Sequence, residues 1–147
     1  MKISAAKLLG AALLVFASAF PYAVAHAADL VVIVSARSSI EALRSDQVAA
    51  IFLGQSARFP DGALATALDQ PIGSNERNQF YLRVTGKTPA LLKAHWSKLV
   101  FTGRGQPPRE LRDSAAVRHA VAEDTGLIGY IDREALDPSV RQVLLVR

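Results

Sequence analysis

The chain has 147 residues, 50% of them hydrophobic and 20% charged, with no cysteine and a formal net charge of +4. That length fits one domain, and the apolar content excludes a disordered chain. Without cysteine there is no disulfide framework, thiolate zinc site, CxxC redox centre or lipid anchor on an N-terminal cysteine.

Residues 1–27 have the three parts of a secretory signal peptide. Lys2 and Lys7 form the positive end, and Leu8 to Phe20 is an apolar run broken by Gly10 and Ser18. The run is shorter than the ~20 residues that span a bilayer, and Pro21 follows it. Ala25-His26-Ala27 is a small-x-small cleavage pattern, with Ala23-Val24-Ala25 as a second option. A cut after Ala27 removes 27 of 147 residues and leaves 120. It also takes two lysines and no acid, so the charge falls from +4 to +2. The expected product is a soluble, periplasmic single domain over 28–147, with no membrane span.

Leu30–Ser35 is a β-branched run, apolar on both faces, as in a strand buried on both sides. Ser45 is positioned to cap a helix from Asp46 to Leu53, with Val48, Ile51 and Phe52 on one face and Gly54 as its left-handed stop. Phe59-Pro60-Asp61-Gly62 signals a turn, and Ala63–Leu68 is a weaker strand. Ser74 opens a second helix with Phe80, Tyr81 and Val84 as its apolar side, ending at Thr85-Gly86. Thr88 and Pro89 start a third, Pro89–Val100, by the cap-then-proline rule. Thr102–Pro108 is a loop. Ser114 is placed to cap a helix to Glu123, and Gly126–Ile131 and Val140–Val146 read as strands. Strands separated by helices predict an α/β fold: a single three-layer lobe with a mostly parallel sheet flanked by helices. Ligands of such sheets bind beyond the carboxyl ends of the strands, at helix starts.

Most chemical motifs fail on inspection. Gly86-Lys87-Thr88 resembles a P-loop tail, but Tyr81 stands where the first glycine belongs and a helix precedes it. His95 and His119 lack ligand partners at i+3 or i+4. No serine lies in a GxSxG elbow, and no cofactor motif is present. Asp69 and Glu76 form a carboxylate pair only if the fold brings them together. Basic residues are interspersed with acids, so nucleic acid is not an expected partner. The most suggestive element is Gly73-Ser74-Asn75-Glu76-Arg77. A glycine and a serine cap leave free amides at a helix start, where the dipole attracts anions. Asn75 adds a neutral donor and Arg77 a fork donor suited to phosphate or carboxylate, while Glu76 repels an anion.

These elements resemble the phosphate ABC transporter substrate-binding proteins. Asp46-Gln47-Val48 through Ile51-Phe52-Leu53-Gly54 is similar to that family's "IFLGK" helix, and Arg58–Gly62 to its following turn. Gly73-Ser74 falls at its "DGSGT" helix start. Trp96, Phe101-Thr102-Gly103 and Gly105–Pro108 match later positions, and Gly126-Leu127-Ile128-Gly129-Tyr130 resembles its "PGAIGY" strand. The resemblance implies a type-2 periplasmic-binding-protein lobe, one where that family has two. Gln70 stands where the family has an arginine, Asn75 replaces a glycine and Glu76 a threonine. The expected function is a non-enzymatic exported binding protein for phosphate or another small anion, without cofactor or metal. The expected ligand residues are Gly73, Ser74, Asn75 and Arg77, with Ser35 and Thr102, Gly103 and Arg104 from neighbouring loops. The alternative is an interaction module that docks on a membrane transporter or sensor, or on a second copy as a homodimer.

Overall fold

A computed structural model describes residues 28–147; the expected signal peptide, 1–27, lies outside the described residues. The elements in chain order are β1 (Leu30–Ser35), α1 (Ser45–Phe52), β2 (Thr66–Asp69), α2 (Asn75–Thr85), α3 (Pro89–Phe101), β3 (Arg109–Glu110), α4 (Ser114–Glu123), β4 (Leu127–Asp132) and β5 (Val140–Val146), with a 3-10 turn at Arg133–Ala135. The five strands form one open sheet in the order β3-β2-β4-β1-β5. No helix among the described residues is long and apolar enough to cross a membrane.

The apolar run at Leu30–Ser35 is the inner strand its pattern predicts, and all six residues are buried. Leu30, Val32 and Val34 pack with α1, α2 and α3, while Val31 and Ile33 pack with Val117 and Val121 of α4. Alternate side chains of a strand point to opposite faces, so β1 supplies the middle layer of a three-layer lobe. The strand directions are mixed. β2 runs parallel to β3 and to β4, whereas β1 is antiparallel to both β4 and β5. Four strands thus share one direction and β1 opposes them. A buried β-branched run looks the same in either direction, so composition could not reveal the reversal.

The register of β5 on β1 shifts between Val32 and Ile33. This bulge changes which face each residue occupies. Val140 joins the α4 side of the core and Val146 the other side, although their spacing would otherwise put them on one face.

Two caps differ from expectation. Arg44 is the N-cap of α1 and Ser45 its first residue; the Gln47 side chain accepts from the Arg44 amide at 2.9 Å. Asp113 caps α4, its carboxylate accepting from the Ala116 amide at 2.8 Å. The Ser114 hydroxyl is used inward, donating to Asp132 and accepting from the Asp132 amide. The short β3 edge strand is too brief for a periodic signal. Ser74, Thr88 and Gly86 act as predicted, the last at φ 71°.

Candidate functional site

The site grows from the carboxyl end of β2. After Asp69 the chain turns through Gln70–Gly73 into α2. Gly73 adopts φ 87°, the left-handed region glycine enters without steric cost. Ser74 then caps the helix, its hydroxyl accepting from the Arg77 amide at 3.2 Å. The Ile72 amide donates to Glu110 at 2.6 Å, which ties the loop to β3.

Beneath this turn lies a buried polar network. Asp69 is 1% exposed. Its carboxylate accepts from Arg77 Nε and from the Tyr81 hydroxyl, both at 3.0 Å, from the Tyr130 hydroxyl, and from the Gln70 amide at 2.8 Å. A buried charge requires such compensation. Burial works against the Arg77 cation, but the Asp69 charge and hydrogen bond prevail and hold its pKa above the ordinary arginine value. Burial, and next the Asp69 charge, push the Tyr81 and Tyr130 phenols far up, so both remain neutral donors. Phe80 stacks on Tyr130 with centroids 3.9 Å apart, and the Arg77 guanidinium lies 5.1 Å from the Tyr81 ring centre.

Gln70, where the resemblance expects an arginine, is buried in the same network. Its side-chain amide donates to the Tyr130 carbonyl at 3.0 Å and to Ser114 Oγ at 3.2 Å. It joins β2 to β4 and α4, so its polar group is spent on the fold.

A groove of about 720 Å³ opens between the α2 start and α3. Ile72, Gly73, Arg77 and Asn78 line one side; Lys93, Trp96 and Val100 are among the α3 residues of the other. Arg77 is 8% exposed and reaches this groove. Its Nε donates to Asp69. Neither Nη nitrogen has an acceptor among the described residues, and neither is sealed from solvent. No carboxylate lines the groove.

The structure therefore brings Gly73 and Arg77 to one groove, with Ser74 and the exposed Asn75 at the helix start beside it. It separates the others. Because β1 is reversed, Ser35 pairs with Val140 at the opposite end of the sheet from Asp69, and its hydroxyl donates to the Ala122 carbonyl. Thr102, Gly103 and Arg104 close the α3 C-terminus: the Thr102 hydroxyl donates to the Lys98 carbonyl and the Arg104 amide to that of Leu99. A helix C-terminus repels anions, and none of the three lines the groove. Asp69, Tyr81, Lys93 and Trp96 were not among the expected site residues. The Arg77–Tyr81 spacing of one helical turn was the available signal.

Asp69 and Glu76 do not form a pair. Glu76 faces a second cavity of about 1030 Å³, lined also by Asp29, Asp132, Glu134 and Arg133. It is larger, but its acidic walls disfavour an anion. Burial first, then Glu76 and Glu134, raise the Asp132 pKa above 3.8, against the pull of the Ser114 hydrogen bond. Such a group costs stability as pH rises from its unfolded pKa through its folded one. Asp132→Asn should accordingly raise the urea midpoint at pH 7, with the gain vanishing below about pH 4, where both unfolded and folded carboxyls are protonated. An equal gain at pH 3 and pH 7 would show that charge is not the cause. His95 hydrogen-bonds the Leu53 carbonyl at 2.9 Å and packs on Trp96, while His119 is exposed. No cluster of three metal-binding side chains occurs among the described residues.

No protein-family model matches the sequence, and no curated protein matches it. Solved structures do share its fold. A Clostridium perfringens protein assigned as a phosphate ABC transporter substrate-binding protein, with bound phosphate, superposes with a TM-score of 0.60 at 22% identity. That match covers 80% of this chain and 45% of the other. An ABC-type phosphate transport receptor from Vibrio cholerae gives 0.62 at 16% identity, covering 80% and 46%. PstS from Borrelia burgdorferi gives 0.60 at 13%, covering 79% and 46%. These neighbours are binding and transport proteins, and the chain spans about half of their length. The chain carries the periplasmic-binding-protein fold of these phosphate receptors, as an open five-stranded α/β lobe.

Proposed function

We propose that this is an exported, non-enzymatic binding protein for a small anion, phosphate or another, held at the start of α2. The observation that carries the reading is Arg77. Among the described residues its Nη groups are unpartnered, in a carboxylate-free groove beside a capped helix start. The Ser74 amide donates to the Pro71 carbonyl and the Arg77 amide to the Ser74 hydroxyl, which leaves those of Asn75 and Glu76 as donors at the helix start, where the dipole favours negative charge. The phosphate bound by the Clostridium perfringens neighbour is consistent with this chemistry.

Calorimetry with phosphate, sulfate and acetate should show at least one of them binding, and Arg77→Lys should weaken it through loss of the planar fork. No binding at millimolar anion would overturn the reading. For export, the protein recovered from the periplasm should begin at Ala28; a product that retains Met1 would contradict it.

A second reading is favoured by Phe101, 94% exposed, and Ile72, 72% exposed. Large apolar side chains this exposed suit docking on a membrane transporter or sensor. Phe101→Ser would then abolish capture of that membrane partner and leave anion calorimetry unchanged.

A further inference from the structure

We propose that the groove between α2 and α3 takes an organic anion with an apolar body, an aryl or short acyl carboxylate or phosphate monoester, rather than a bare oxyanion. This rests on the anion reading above and adds the ligand class. Three features of the groove lead to it.

The first is size. About 720 Å³ lies within the range of pockets that hold organic ligands, and is several times what a bare oxyanion fills. The second is the walls. Ile72, Pro89, Val100, Pro107 and Trp96 give the groove a mainly apolar lining, and Ile72 and Val100 are 72% and 45% exposed. An inorganic anion would leave that surface wet, whereas an apolar body would cover it. The third is charge. Among the described residues the groove is lined by two cations, Arg77 and Lys93, and no carboxylate; Asp69 already balances Arg77 from below. One net positive charge matches one anionic head. Arg77 is more than nine-tenths buried, yet both Nη groups lack an acceptor among the described residues. Apolar walls with a few convergent polar groups are the usual make-up of a small-molecule site.

The groove contains its own reporter, since Trp96 is the single tryptophan of the chain. Fluorescence titrations of the purified protein would use phenyl phosphate, 3-phenylpropionate, inorganic phosphate and uncharged benzyl alcohol. The two organic anions should bind at least tenfold more tightly than inorganic phosphate, with benzyl alcohol weaker still. Val100→Ser, which removes apolar surface without adding charge, should weaken the organic anions at least threefold and change inorganic phosphate less than twofold. Lys93→Ala should weaken all three anions. If inorganic phosphate binds as tightly as phenyl phosphate, the proposed class is wrong while the anion site stands. If no anion binds at millimolar concentration, both readings fall. If Val100→Ser leaves phenyl phosphate unaffected, or benzyl alcohol matches it, the groove does not select an apolar body with an anionic head.

Discussion

Asp69→Ala should destabilise the protein by about 3–5 kcal/mol, the cost of leaving a buried cation without its partner. The carboxylate serves Arg77, Tyr81, Tyr130 and Gln70 together. Its removal strands two phenols besides the guanidinium, while the Gln70 amide keeps the Tyr130 oxygen as an acceptor at 3.2 Å, and each unsatisfied buried group carries its own penalty. The fall in Tm should be on the order of 15 °C. Asp69→Asn should cost less, because it keeps an acceptor while losing the charge. Asp69→Leu combined with Arg77→Met should cost less than Asp69→Ala, since no unpaired charge remains. Urea denaturation followed by circular dichroism measures all three. A loss below about 1 kcal/mol for Asp69→Ala would mean that the network contributes no more than one ordinary hydrogen bond.

The second large effect is expected at Gly129, in the middle of β4. A Cβ placed there would overlap Val117 Cγ1, in the fully buried face of α4, and come 3.5 Å from Val121 Cγ2. Glycine lets the helix approach the sheet closely. Gly129→Ala should cost about 1–3 kcal/mol by overpacking, and Gly129→Val more. Adding Val117→Ala should recover part of the loss, so that the pair costs less than the sum of the singles. Strict additivity would show that the two residues do not compete for space. The same substitution lies on the opposite face of the sheet from Phe80 and α2, so it should alter stability without selectively removing the anion affinity proposed for the groove.

Local chemistry made much of the fold legible. Five apolar residues with Ser35 at their end read as a buried strand, and β1 has those bounds. Ser74 and the Thr88-Pro89 pair marked two helix starts, and Gly86 marked a stop. Each of these signals acts within a turn or two of chain. The site was half legible for the same reason: Gly73-Ser74 announces a helix start wherever it lies. The fate of Arg77 was not legible, because its partner Asp69 comes from the preceding strand and is held by Tyr130, 61 residues further on.

The order of the longer elements, the caps at Ser74 and Thr88 and the α/β class follow from the residues alone, because capping and apolar periodicity are short-range. The tertiary structure decided the direction of β1, and with it the removal of Ser35 to the far end of the sheet. It also decided that Gln70 would knit the core, that Asp69 would occupy one edge of the Arg77 guanidinium, and that the other edge would open on an apolar groove. Those outcomes depend on pairing and packing between segments distant in the chain, and no local pattern encodes which partner a buried charge will meet.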